Sequence, residues 1–423
     1  MRKLSFNFLQ LLFFWAPLIY AWLYIPLTGF DISLLVPKVL ENSWSWFESV
    51  KVLFLFFCVW GALIFHLFAL IEREKKVPLS HYFFFAVIFF FLWTIISLTL
   101  NQDINPYFAS GNPEKRHGWF FYFALFILFF LLRTFSPKKR EQLLFMSFFG
   151  FFGVVLYAFF QRLGVDPLSE AYQTRLDSTR IFATLGNPNY LAGLVLMMTP
   201  LLHENISFLH REYTRLVKIL LWSVSWLLIF WTGSYLAWIF FPFLLLIFLV
   251  RSFFPEKKLQ LLVWGCIFFL ALISIAFVWS RYGQEILEMQ KMQWFIARWF
   301  LWKTGIAALT HDVWHFFFGY GPDGFLSISE YFRHPLLSVY EDPAYRIDRS
   351  HNVFLDFMLQ FGVLLSVLCL FSIARLFRHL SYGKKIALLF FALYFFFNIP
   401  VLVHYLVVLQ ILSSLDNHDL THW

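Results

Sequence analysis

Long apolar runs alternate with short charged gaps along almost the whole chain. Each run holds about 14–22 residues, which suits a helix that crosses a bilayer at a rise of about 1.5 Å per residue. The runs are continuous and lack period-two alternation, so they predict helices rather than the strands of a membrane barrel. They fall near residues 8–27, 51–71, 80–100, 118–134, 143–163, 189–202, 216–231, 235–250, 259–280, 352–374, 386–398 and 401–415.

This pattern predicts an all-α integral membrane protein, a polytopic bundle of about twelve transmembrane helices in a single domain over residues 1–423. Only Asn398-Ile399-Pro400 separates the last two runs, so eleven spans is an alternative. The composition agrees, because 60% of the residues are hydrophobic and 14% charged, more apolar surface than a soluble chain of this length can bury. The three cysteines lie inside apolar runs, which argues against a disulfide framework and gives no metal spacing.

The orientation of the bundle follows from its basic residues. If the amino terminus is cytoplasmic, 19 of the 33 Lys and Arg residues fall in inner gaps. Half of the other 14 lie in one long loop, where the charge rule is weak. We therefore expect both termini in the cytoplasm and an uncleaved first span. The net charge of +8 is then largely a matter of topology, and no clustered basic surface indicates nucleic-acid binding.

The longest polar gap, residues 281–350, precedes the tenth run and is predicted to lie outside the membrane. Its first part, Gln284 to Trp302, has the pattern of an amphipathic helix in the membrane interface. Arg298 would then face a polar cleft while Phe295 and Trp299 face lipid.

Three predicted helix starts point at the same outer face. Asn187 is a candidate N-cap with Pro188 as the first helical residue, Ser234 a candidate hydroxyl cap, and Ser350 precedes a helix that begins at His351-Asn352. Helix starts carry free amides and partial positive charge, which suits an anion. The alternative is that each is an ordinary cap.

Charged groups at this face could bind and activate substrates. Arginine offers a planar fork that matches phosphate oxygens, although pairing with nearby acids is the simpler interpretation of any one loop arginine. His351, at a helix start, should be a neutral imidazole that can accept a proton. The alternative is an interfacial histidine that is merely hydrated. The outer-gap arginines considered are Arg175, Arg180, Arg298, Arg346 and Arg349.

Several motifs in order resemble the bacterial O-antigen ligase family, over about residues 150–375. They are Gln161 to Pro167, Arg180 to Gly193 with its Gly-Asn-Pro-Asn-Tyr core, Arg298 to Trp302, Gly319 to Phe325, and His351-Asn352 followed by Gly362. The resemblance implies a GT-C-like membrane glycosyltransferase, which moves a glycan from undecaprenyl diphosphate to an acceptor hydroxyl. The acceptor would be a lipid, a glycan or a protein.

The resemblance also implies roles for residues. Arg180 and Arg298 would bind the donor diphosphate and His351 would be the essential catalytic residue. The supporting positions would be Asn187, Asn189, Ser234, Tyr235 and Asn352. Relatives often carry an arginine where this chain has Tyr235. Either another residue replaces the contact that this arginine makes, or the donor or acceptor differs.

We expect an inverting reaction without a metal or other cofactor, in the cytoplasmic membrane of a bacterium and on its outer face, in lipopolysaccharide or other surface-polysaccharide assembly. A polysaccharide polymerase and a protein O-oligosaccharyltransferase are alternatives within the superfamily. A membrane transporter is the alternative of another class, with Asp356 as its main intramembrane acid.

Overall fold

The computed structural model describes residues 1–18, 46–71, 81–112, 115–165, 180–206, 211–254, 256, 290–341 and 346–414. All regular structure within these ranges is helical, with no strand. The helices of six or more residues are α1 (Arg2–Trp15), α2 (Trp46–Ile71), α3 (His81–Asn101), α4 (Trp119–Thr134), α5 (Pro137–Arg162), α6 (Pro188–Asn205), α7 (Arg211–Thr232), α8 (Tyr235–Phe253), α9 (Gln290–Leu309), α10 (Val313–Phe318), α11 (Val353–Phe377), α12 (Tyr382–Phe395) and α13 (Leu402–Ser413). Short helical turns are Ala183–Leu185, Phe325–Ile328, Ser329–Phe332 and Leu337–Tyr340.

Five of the described helices are long and apolar enough to cross a membrane. They contain the stretches Glu48–Ala69, Pro137–Arg162, Tyr213–Thr232, Tyr235–Phe253 and Val353–Phe377. Many of their large apolar side chains are exposed, as lipid-facing residues must be. The predicted class, a helical membrane protein, is confirmed. The count of twelve stays a prediction, since the run at 259–280 lies outside the described residues.

The helices follow the predicted runs, and the first run needs a correction. The run at 8–27 is not one helix, because α1 ends at Trp15 and the chain turns at residues 16–18. Pro17 has no backbone N–H to continue the helical ladder; residues 19–27 lie outside the described ranges. The last two runs are separate helices, α12 and α13, divided by a non-helical segment that contains Pro400.

Helix α6 forms the centre of the largest apolar cluster. It packs against α7, α8 and α12, and its side chains from Leu191 to Leu201 are all buried. At Gly193 a Cβ would lie 2.7 Å from the Phe395 ring, so the missing side chain lets α12 approach. Because α6 is enclosed, its amino-terminal end holds Asn187 and its neighbours at a fixed place in the bundle.

Helix α11 is broken at Gly362, contrary to the prediction of one continuous run over 352–374. Gly362 has φ 76° and ψ 167°, a conformation that is essentially restricted to glycine. A Cβ there would lie 2.0 Å from the Phe317 carbonyl oxygen, because the end of α10 packs against the break. The hydropathy of the run gives no sign of this contact, which comes from a distant part of the chain.

The predicted amphipathic helix is present as α9, which runs on to Leu309 instead of ending at Trp302. Residues 284–289 lie outside the described ranges. Arg298 is buried, whereas Phe295 and Trp299 are 40% and 51% exposed, so the expected placement of these three side chains is confirmed. Much of the predicted loop therefore has helical structure.

Candidate active site at one end of the helix bundle

The segment Gly319–Phe325 is fastened between α3 and α11. The Asn101 side chain donates to the Gly319 carbonyl at 3.1 Å, and the Asn105 side chain donates to the carbonyls of Tyr320 and Pro322 at 3.0 and 2.9 Å. The backbone N–H of Tyr320 donates to Leu359 in α11 at 2.8 Å. These bonds hold Asp323 at one end of the bundle.

Two ion pairs hold the segment before α11. Arg349 pairs with Asp323, and both side chains are buried. Lys115, from the loop before α4, pairs with Asp348, and each side chain keeps less than a fifth of its surface exposed. Pairing with a nearby acid, the simpler interpretation of a loop arginine, is therefore confirmed for Arg349.

The Lys115–Asp348 pair remains charged in spite of its burial. Burial alone would raise the pKa of Asp348, but Lys115, followed by His351 and Arg349, lowers that pKa to about 2. Burial would likewise lower the pKa of Lys115, and Asp348 outweighs it, so that this pKa is raised. A carboxylate and an ammonium thus face each other at neutral pH.

Helix α11 begins later than predicted. Its N-cap is Asn352, whose side-chain oxygen accepts from the N–H groups of Phe354 and Leu355 at 3.0 and 3.2 Å. Ser350 instead donates its backbone N–H to Asp356 at 2.6 Å. The prediction of a helix that starts at His351 is wrong, because an Asn side chain caps better than an imidazole and takes that position.

His351 precedes this cap in a left-handed conformation with φ 57°. The residue keeps some exposed surface, but Nε2 is enclosed and has no hydrogen-bond partner among the residues that the structure describes. Burial and then the positive charge of Arg298 lower the pKa of His351 well below 6.5, against the opposing effect of Asp348. The imidazole is therefore neutral at neutral pH, as predicted.

Arg298 joins this group from the inner face of α9. The side chain is 9% exposed, and it is the largest charge effect on His351. Helix α9 packs against α11, with Gly305 close to Leu355. Two predicted site residues far apart in sequence thus lie within electrostatic range of each other.

Arg180 lies in a second group around the start of α8. Its Nε donates to the Thr232 carbonyl at 2.8 Å, beside Gly233, while the next residue, Ile181, donates its N–H to Trp231 at 3.1 Å. The guanidinium is thereby aligned along the turn between α7 and α8. Because Nε is engaged with the Thr232 carbonyl, the two terminal nitrogens lie on the opposite edge of the guanidinium.

The starts of α6 and α8 are joined by a buried tyrosine. Asn187 caps α6 as predicted, with its side chain accepting from Asn189 N at 2.8 Å, and Pro188 follows. The Tyr394 hydroxyl donates to the Asn189 carbonyl at 3.0 Å and lies 2.9 Å from the Ser234 hydroxyl. The prediction that Ser234 caps α8 is wrong, since its side chain makes no cap bond and meets Tyr394.

Tyr190 connects the two groups. It follows Asn189 at the start of α6 and lies within electrostatic range of Lys115, Asp348 and Arg349. The structure therefore brings the starts of α6, α8 and α11 together at one end of the bundle. Tyr235, in contrast, is 53% exposed.

Sequence reasoning missed the partners that hold this site. Lys115 drew no attention because its partner, Asp348, is 233 residues away. A further buried pair joins Glu48 in α2 to His117 at 2.9 Å, and the same carboxylate accepts from Leu402 N at 2.5 Å. The available signal was a charge at the edge of an apolar run, which is also typical of solvated residues.

The fold and the site define a helical membrane protein with a buried group of charged side chains at one end of its bundle. A family model described as O-antigen ligase matches residues 219–370. The match confirms the resemblance to the O-antigen ligase family over these residues. It contains Arg298, His351 and Asn352, while Arg180 precedes it. No curated protein and no solved structure matches the chain.

Proposed function

We propose that the chain transfers a glycan from undecaprenyl diphosphate to an acceptor hydroxyl, at the outer face of the bacterial cytoplasmic membrane. The match to the O-antigen ligase family supports a lipid-linked glycan and an acceptor as the general substrates. The observation that carries the proposal is His351, a neutral histidine near the buried Arg298. Its enclosed Nε2 has no hydrogen-bond partner in the described part of the chain.

The donor diphosphate would bind between the two arginines. Arg298 and Arg180 supply cationic forks, and the amides at the starts of α6 and α11 supply further positive potential. These groups would stabilise the charge that develops on the leaving diphosphate. We propose that arginine side chains do this in place of a divalent metal ion.

The transfer would be a single displacement. The acceptor oxygen attacks the anomeric carbon as its O–H bond breaks and the proton passes to His351. The bond between that carbon and the diphosphate oxygen breaks, and its electron pair leaves with the diphosphate. One displacement inverts the configuration at the carbon.

Donor binding would also activate the base. The charge of Arg298 disfavours protonation of His351 in the empty site. A diphosphate on Arg298 offsets this charge, so the imidazole becomes a better proton acceptor when donor is present. Because the pKa of free His351 is lowered, the acid limb of kcat/KM should lie below pH 6.5.

Asp356, the main intramembrane acid of the transporter alternative, has a structural contact that explains its presence. Asp356 accepts from the Ser350 backbone at 2.6 Å and lies near Arg349, so it fixes the segment before α11. A polymerase or a protein glycosyltransferase would use the same donor chemistry and differ in the acceptor.

The test is transfer by His351→Ala with purified donor and acceptor, normalised to folded protein. Loss of a general base should lower turnover by about 10²–10⁴-fold. His311→Ala is the matched control, because His311 is an exposed histidine of the same segment. Near wild-type turnover per folded molecule in His351→Ala would exclude this mechanism.

A further inference from the structure

Each of the four residues before His351, and the one residue after it, is held by a contact of its own. The Ile347 carbonyl accepts from the Ser329 hydroxyl at 2.8 Å, and Ser350 donates to Asp356. Asp348 and Arg349 pair with Lys115 and Asp323, and Asn352 caps α11. His351 stands alone within this series, because its Nε2 has no partner among the described residues.

The two ion pairs have opposite polarity in adjacent positions. Asp348 meets a cation from the loop before α4, and Arg349 meets an anion from the segment before Phe325. A shift of one residue would place like charges together, which costs free energy in a site with little water. The ion pairs thus select one register for the backbone that carries the imidazole.

We propose that Lys115 and Asp348 are positioning residues for His351, with Asp348 as its charge-compensating neighbour and Lys115 as the residue that holds Asp348 in place. The inference rests on the proposed role of His351 as the base. Proton uptake creates an imidazolium among the cations Arg298, Arg349 and Lys115. Asp348 is the anion that faces it.

The relative sizes of the charge effects on the pKa of His351 agree with this assignment. Apart from burial and Arg298, Asp348 has the largest effect on the pKa of His351, and Lys115 has a smaller effect of opposite sign. The carboxylate therefore favours proton uptake by His351 and the ammonium opposes it. The ion pair does more than join two loops, since its members act on the base in opposite directions.

This opposition gives a test that a structural role alone would not pass. Lys115→Met removes a cation, so the acid limb of kcat/KM should move to higher pH. Asp348→Asn removes the anion, so the limb should move to lower pH and the plateau should fall by about 10–100-fold, as expected when a reacting group is misplaced. Lys115→Arg preserves the pair and should keep the limb of the native protein.

The control is the Arg333–Glu330 pair in the same segment, in which the Glu330 side chain is 52% exposed. Glu330→Gln should leave the acid limb of kcat/KM at the pH found for the native protein. Limbs that move in the same direction in Lys115→Met and Asp348→Asn, or that do not move, would overturn the inference. If His351→Ala is inactive and the acid limbs behave in one of these two ways, only the positioning role of Lys115 and Asp348 is refuted. Activity in His351→Ala would refute the proposed function itself.

A second variant applies if either single change prevents folding. Exchange of the two residues, Lys115→Asp with Asp348→Lys, restores an ion pair but puts the cation nearer to His351. The acid limb should then move to lower pH. An unchanged limb, or failure of the exchanged protein to fold, would indicate a purely structural pair and would overturn the inference.

Discussion

Replacement of Gly362 by alanine should destabilise the protein by displacing α10 from the break in α11. The conformation of Gly362 costs another residue about 1–3 kcal/mol. The added Cβ would lie 2.0 Å from the Phe317 carbonyl oxygen, a backbone atom that no rotamer change can move. Separation of the helices also weakens the bonds from Trp93 to Phe361 and from Tyr320 to Leu359, at about 1 kcal/mol each.

The expected loss is therefore about 3–5 kcal/mol, a large part of a stability of about 5–15 kcal/mol. Thermal unfolding of detergent-solubilised protein measures it. Gly164→Ala is the matched control, because Gly164 also has a positive φ, 80°, but no atom lies within 4 Å of an added Cβ. That variant should lose only about 1–2 kcal/mol, the left-handed penalty. Equal unfolding temperatures for the two variants would refute the packing argument.

Three further predictions concern the site and its orientation. Arg180→Lys keeps the charge but cannot both bond the turn and offer a fork, so transfer per folded molecule should stay strongly impaired; full activity would contradict recognition by geometry. Asp323→Asn leaves Arg349 buried without its carboxylate and should lower stability by about 3–5 kcal/mol, measured by thermal unfolding. An impermeant thiol reagent should label a cysteine at Tyr331, which is 86% exposed, but not one at Ser136, and the reverse result would invert the proposed topology.

Features that depend on nearby residues could be predicted from the sequence. The Asn187 side-chain oxygen accepts a hydrogen bond from the backbone N–H only two residues later, so the local pattern contains the whole interaction. The placement of Arg298, Phe295 and Trp299 on α9 follows from helical periodicity in the same way. Both predictions are confirmed because the physical cause lies within one or two turns of helix.

Features set by distant contacts could not be predicted. The Ser234 hydroxyl was expected to cap α8, but it meets the hydroxyl of a tyrosine 160 residues later instead. The break at Gly362 depends on the end of α10, which an apolar run does not reveal. The roles of Arg180, Arg298 and His351 remain proposals; the structure places Arg298 within electrostatic range of His351.

The separation of Lys115 from Asp348 has a consequence for biogenesis. The two residues are 233 positions apart, and a ribosome adds about 5–20 residues per second. Lys115 therefore emerges roughly 10–50 s before its carboxylate has been synthesised. During that interval the ammonium must remain hydrated, so the loop before α4 can reach its final buried position only after the last third of the chain has begun to insert.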